Sequence, residues 1–171
     1  MIHLTPADYR QQPWANGRGT TIELYRIETG DQLLLRLSMA TVNEDGPFSL
    51  FPGIERNLTV LTGPGFTLTG DTLRLEARPL IPIAFPGDVP LTASDVIAPS
   101  TDFNVMTARA LPRPVVRVLS QANLNAGGRR AIFALGPTFV NGTALARHDL
   151  VVTDQPAILT GHALVMDVAT I

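Results

Sequence analysis

The chain has 171 residues, no cysteine and a formal charge of −2 from 13 basic and 15 acidic side chains, and every basic residue is arginine. Without cysteine there is neither a disulfide nor a thiolate metal site, and without lysine there is no Schiff-base chemistry and no P-loop lysine. The arginines are scattered apart from Arg129-Arg130, which excludes the basic stripe that nucleic acid demands.

The start, MIHLTPADYR, has neither a basic leader nor an apolar h-region, and no apolar run approaches the length of a membrane span. A cytoplasmic protein with no membrane or nucleic-acid partner is the expectation. Residues 4–12 (LTPADYRQQ) predict one helical turn, with Thr5 as cap and Pro6 at the first helical position. In 13–24 (PWANGRGTTIEL) the only tryptophan meets a glycine-rich turn that leads into a strand at 20–27. Period-two alternation there puts Thr21, Glu23, Tyr25 and Ile27 on one face. In the strand at 32–42 (QLLLRLSMATV), Leu33, Leu35, Leu37 and Met39 share one face, and Leu34, Arg36, Ser38 and Ala40 the other. Residues 56–68 (RNLTVLTGPGFTL) read as strand, glycine hairpin turn and strand, followed by a short strand in 71–77. Further strands are expected in 102–110, 114–119, 130–136 and 162–170. Short strands at close spacing, cut by 14 prolines and 14 glycines, predict an all-β sandwich or barrel with little helix.

A faint internal repeat supports two related halves. RNLTVLTGPGFTL (56–68) is similar to RAIFALGPTFV (130–140), and PIAFPGDVPLTASDV (82–96) to PAILTGHALVMDV (156–168).

Four segments carry a more specific signal: PWANGRGTT (13–21), DGPFSLFPGIERNLTVLTGPG (45–65), PIAFPGDVPL (82–91) and DFNVM (102–106). In this order and spacing they resemble the HutD/Ves family. The likeness runs through the first two thirds of the chain, and one departure is Ala15, where the family usually has lysine. The resemblance implies a bicupin of the RmlC-like cupin superfamily, with tandem jelly-roll-like cupin β-barrels. It puts an N-terminal barrel with its lead-in at 1–100 and a C-terminal cupin-like barrel at 101–171, packed as one compact unit. It also implies a link, in some bacteria, to the control of histidine utilisation through a small pathway molecule, and in others to environmental stress. No established reaction comes with it.

The residues narrow the chemistry further. His3, His148 and His162 are the only histidines and lack metal-ligand spacing, so no metal and no cofactor are expected. No serine sits in a nucleophile elbow. What remains is polar groups on inward strand faces. Trp14 and Phe51 are expected to wall a pocket, with Asn16, Glu23, Arg36, Ser38, Arg56 and Asn104 as polar contacts. Arginine offers a donor fork for a carboxylate, and Glu23 is expected to pair with Arg36 or Arg56, since an unpaired buried carboxylate is expensive. Phe48 and Leu50 are expected in the core, Asp88 at a structural turn, and Asp102 bracing the 13–19 loop.

Three readings stay open at this point. One is a metal-free small-molecule-binding bicupin, whose ligand by family analogy is a small carboxylate, formamide or imidazole-type metabolite such as urocanate, formylglutamate or formiminoglutamate. Another is a metal-independent isomerase, lyase or hydrolase acting on such an intermediate, with Glu23 as acid/base and the arginines stabilising an oxyanion. The third is an interaction module whose segments build a homodimer interface.

Overall fold

The computed structural model describes residues 1–14 and 19–169. The strands are, in chain order, β1 (Ile2–Leu4), β2 (Arg10–Pro13), β3 (Thr20–Thr29), β4 (Gln32–Val42), β5 (Gly46–Pro47), β6 (Ile54–Thr62), β7 (Phe66–Thr69) and β8 (Arg74–Ala77). They continue with β9 (Ile83–Pro86), β10 (Thr92–Ser94), β11 (Ser100–Ala108), β12 (Val115–Leu124), β13 (Arg129–Val140), β14 (Thr143–Leu145), β15 (Leu150–Thr153) and β16 (Ala157–Val168). Among the described residues the one helical element is the 3-10 turn Pro6–Asp8. It falls where expected: the Thr5 N–H and Oγ1 both donate to Asp8 Oδ2, at 2.8 and 2.9 Å.

The chain divides into two compact units, Arg10–Leu111 and Met1–Tyr9 with Pro112–Ile171. The expected boundary after residue 100 lies inside β11, and β1 belongs to the second unit because it pairs with β15. In the Arg10–Leu111 unit, a sheet of order β2-β3-β4-β11-β6-β9 accompanies a smaller one of order β5-β10-β7-β8. Leu58, Val60 and Phe85 of the first sheet and Phe66, Leu68 and Ala93 of the second share one apolar core, so the core lies between the sheets. The fold is cupin-like, but the hydrogen-bonded paths are open at their ends and do not close into rings.

Correction is needed at the GPG turn. It is not a hairpin: β6 and β7 lie in different sheets, and Gly63-Pro64-Gly65 forms the corner between them. Gly65 takes φ +86°, and its N–H donates to Ser100 Oγ at 2.9 Å. A second correction concerns β3. A bulge between Glu23 and Tyr25 sets Glu23 opposite Ser38 but Tyr25 opposite Leu37, so Tyr25 leaves the Thr21–Glu23 face.

The other unit repeats this pathway. Its sheet order β12-β16-β13-β15 matches β4-β11-β6-β9, strand for strand and in the same chain order. The first repeat in the sequence is thereby explained, since Arg56 opens its stretch on β6 and Arg130 on β13. The second is displaced: residues 82–96 cover β9 and β10, whereas β16 runs where the first unit uses β10 and β11. The interior of the second unit is filled by Leu124, Ile132, Val140, Leu145, Val151, Leu159 and Val165.

Candidate functional site

Strand alternation builds the site. In register across three strands, Arg36 of β4 and Arg56 of β6 flank Met106 of β11. The next row carries Glu23, Ser38, Asn104 and Leu58, and the one after it Thr21, Ala40, Asp102 and Val60. Residues directly opposite in antiparallel strands share a face. Leu35, Leu37, Phe103 and Val105 alternate with these rows and are fully buried. The polar face opens on a cavity of about 480 Å³ inside the Arg10–Leu111 unit. Its wall is completed by Trp14 and by Phe48 and Phe51 of the segment before β6.

Arg56 is the most enclosed cation of the wall, at 8% exposure. Its guanidinium carbon sits 5.3 Å from the ring centres of Phe48 and Phe51 and 5.2 Å from that of Phe85. Rings at that distance attract a cation through their quadrupoles. Arg56 Nη2 donates to Asn104 Oδ1 at 2.6 Å, and Asn104 Nδ2 donates to Asp102 Oδ1. Among the described residues Arg56 Nε has no hydrogen-bond partner. Burial pulls the Arg56 guanidinium down to about 10, against the attraction of Asp102 and with a smaller push from Arg36, so it stays charged at neutral pH. Asp102 is 1% exposed. Burial pushes its carboxyl up to about 7, opposed by the Arg56 charge and the Asn104 hydrogen bond.

Arg36 is held from behind. Its Nε donates to Glu23 Oε2 at 2.7 Å and its Nη2 to Gln12 Oε1 at 2.9 Å, and Arg26 Nη1 reaches the same Glu23 oxygen at 3.4 Å. Trp14 is positioned by its indole Nε1, which donates to Thr21 Oγ1 at 2.8 Å. Its ring packs flat against Gly19, where an added Cβ would lie 2.8 Å from ring carbons, so a side chain there would displace the indole.

Of the expected pocket residues, the structure brings Trp14, Arg36, Ser38, Phe51, Arg56 and Asn104 to one cavity wall. Glu23 is buried next to the wall without lining it, its carboxylate committed to Arg36 and Arg26. Asn16 and Ala15 lie outside the described residues. The expectation of Leu50 in the core fails. Phe48, in the segment Pro47–Phe51, packs partly buried against the core as expected, and it also walls the cavity beside Arg56. Leu50, in that same segment, is 53% exposed. Asp102 lines the cavity and accepts from Asn104 Nδ2, and residues 15–18 of the loop it was expected to brace lie outside the described residues. Its place on the Asn104 face was legible from the alternation in DFNVM. Asp88 is a structural turn residue as expected, accepting from Arg109 Nη1 and Nη2 at 2.8 Å each.

The histidines are engaged elsewhere. His3 Nε2 lies 2.9 Å from Asp149 Oδ2, and His148 stacks on Phe133 with ring centres 5.4 Å apart. Among the described residues no three His, Asp or Glu side chains cluster as a metal site would require.

Fold and site together define an all-β, cupin-like protein of two related units, one of which holds a polar, arginine-lined cavity. The chain belongs to the HutD family, whose model matches residues 6–168. Over 110 residues it is 38% identical to an uncharacterised 21.2 kDa protein of the hutC 3′ region of Pseudomonas putida, and the match covers 61% of this chain and 57% of that protein. The structure of HutD from Pseudomonas fluorescens SBW25, described as a formate condition, superposes with a TM-score of 0.90 at 27% identity, covering 98% of this chain and 97% of that one. A conserved protein of unknown function from Pseudomonas aeruginosa PAO1 gives 0.88 at 27% identity, over 99% and 98% of the two chains. No helix among the described residues is long and apolar enough to cross a membrane.

Proposed function

We propose that the cavity of the Arg10–Leu111 unit binds a small cytoplasmic metabolite carrying a carboxylate and a formamide or imidazole-type group, and that the protein modulates histidine utilisation through that binding. The observation that carries this reading is the placement of Arg36 and Arg56 on one row of one sheet face, opening on a cavity of about 480 Å³. That volume is within the range of small-molecule sites, about 300–1,000 Å³. Trp14, Phe48 and Phe51 supply apolar walls, and Ser38 and Asn104 supply neutral polar contacts. The location of the Pseudomonas putida relative beside hutC and the formate condition of the Pseudomonas fluorescens relative support the ligand class. The enzymatic alternative needs Glu23 at the ligand, and that carboxylate is spent on two arginines.

The test is a thermal-shift screen with urocanate, formylglutamate and formiminoglutamate. A ligand at a hundredfold excess over its Kd stabilises the fold by about 2.7 kcal/mol. The shift should be lost in Arg36→Ala. A panel with no shift, or a shift that survives in Arg36→Ala, overturns the assignment.

A further inference from the structure

We propose that Asp102 is a specificity-determining acid of this cavity: it takes up a proton when a carboxylate settles beside Arg36 and Arg56, so the site takes the anion and the proton together. This rests on the binding reading above and adds to it a partner that reading does not contain, the proton.

The argument begins with charge. On the cavity wall, Arg36 is matched by Glu23 at 2.7 Å, and Arg56 is matched by Asp102 through the bridging Asn104 amide. Among the described residues the charges of the wall therefore balance. An incoming carboxylate adds a negative charge to a half-open, aromatic-walled space beside the buried Asp102, where an uncompensated charge is costly. One of the two carboxylates must give up its charge, or the ligand is refused. Glu23 is poorly placed to do so, because it holds Arg36 directly and Arg26 as well. Asp102 is well placed. Among the described residues no ion pair within 4.0 Å holds it, and its Oδ1 accepts from a neutral amide.

Among the described lining residues Asp102 carries the one carboxylate. On the same face as Asp102 are Glu23 of β3, one row away, and Arg36 of β4 and Arg56 of β6, two rows away. Gln12 on β2 is neutral. The wall segment Pro47–Phe51 carries no ionisable side chain, and Arg74 and Glu76 of the smaller sheet and Asp95 just after β10 are exposed. Burial already moves the Asp102 carboxyl into the neutral range before any ligand arrives, so the second negative charge need only push it further in the same direction. Once protonated, Asp102 has an O–H to donate, and a carboxylate or formyl oxygen in the cavity is an acceptor. A site that is positive and donor-rich after protonation selects anions over neutral isosteres, and selects them best at mildly acidic pH.

The test uses formate, a carboxylate that does not itself titrate between pH 5.5 and 8.5, and Trp14, the only tryptophan, which lies on the cavity wall. Formate is titrated against Trp14 fluorescence across that pH range, and proton uptake is followed in weakly buffered solution. The wild-type affinity is expected to fall about tenfold between pH 6 and pH 8, as linkage to a group titrating near neutrality requires. Uptake should approach one proton per formate at pH 8 and fall towards none at pH 5.5. Asp102→Asn should bind formate with a flat pH profile and no proton uptake. The uptake measurement on the wild type keeps the proposal testable should that variant fold poorly. A flat wild-type profile with no uptake overturns the coupling and leaves the binding reading standing. A pH dependence that persists in Asp102→Asn places the proton elsewhere and overturns the assignment to Asp102. Formate that binds at no pH overturns both.

Discussion

Replacing Arg56 by alanine should abolish ligand binding and destabilise the fold by up to about 3–5 kcal/mol at pH 8, the figure for a direct buried charge pair serving as the upper limit for one bridged by Asn104. Three rings lose the cation they surround, Asn104 loses the donor to its Oδ1, and Asp102 is left enclosed without the charge that lowers its carboxyl. The penalty should depend on pH, and its sign follows from Asp102. The folded carboxyl titrates near 7, above its ordinary 3.8. Between those values the folded chain holds a proton that the unfolded chain has released. That contribution favours the folded state at acid pH and is lost as pH rises through the window from about 4 to 7. In Arg56→Ala the window extends upward, so the variant should approach wild-type stability at pH 5.5 and depart from it most at pH 8. Urea midpoints of the two proteins at both pH values measure this. The double variant Arg56→Ala, Asp102→Asn should recover part of the loss at pH 8, because it also removes the stranded carboxylate. An equal loss at both pH values would show that packing, not charge, dominates at this residue.

The pH argument turns on a residue whose face was plain from the sequence but whose role was not. Alternation in QLLLRLSMATV and DFNVM placed Arg36, Ser38, Asp102 and Asn104 on common faces, and the register confirms both strands. Alternation is local, so it survives translation into structure. It does not say whether a polar face meets water or a cavity, because that depends on a second sheet brought over it by distant residues. The cavity roles of Phe48 and Asp102 were not legible for this reason: the former walls the cavity from the segment before β6, and the latter lies on its face because β6 and β4 flank β11. The bulge at Leu24, which turns Tyr25 off the Glu23 face, has no signature in TTIELYRI at all. The repeat shows the same limit at a larger scale. Its first half was readable because Arg56 and Arg130 begin equivalent strands. Its second half slipped because one unit runs a continuous β16 where the other breaks the path into β10 and β11.

The Gly63-Pro64-Gly65 corner between β6 and β7 lies against the end of that break at Pro99 and Ser100, and it sets the second large expectation. Gly65→Ala should cost several kcal/mol and leave little folded protein, whereas Gly30→Ala should cost only about 1–2 kcal/mol. Both glycines have positive φ, +86° and +58°, so both substitutions carry the penalty of a left-handed backbone. The difference lies in space. Around Gly30, in the β3–β4 turn, no atom stands within 4 Å of an added Cβ. At Gly65 that Cβ would lie 2.0 Å from the Ala77 carbonyl oxygen, which is backbone and has no rotamer to escape into. Relief would require β8 to draw back from β7 or the corner to open, and opening the corner breaks the Gly65 N–H bond to Ser100 Oγ. Ser100 is the first residue of β11, two positions ahead of Asp102. A Gly65→Ala chain that does fold should therefore bind formate more weakly than its stability loss alone explains, because the strand carrying Asp102 and Asn104 has lost its anchor. Thermal unfolding of both variants, with formate titrations on whatever fraction remains folded, separates the steric cost from the conformational one. Equal losses at the two glycines would mean that the corner yields easily and does not fix the cavity wall.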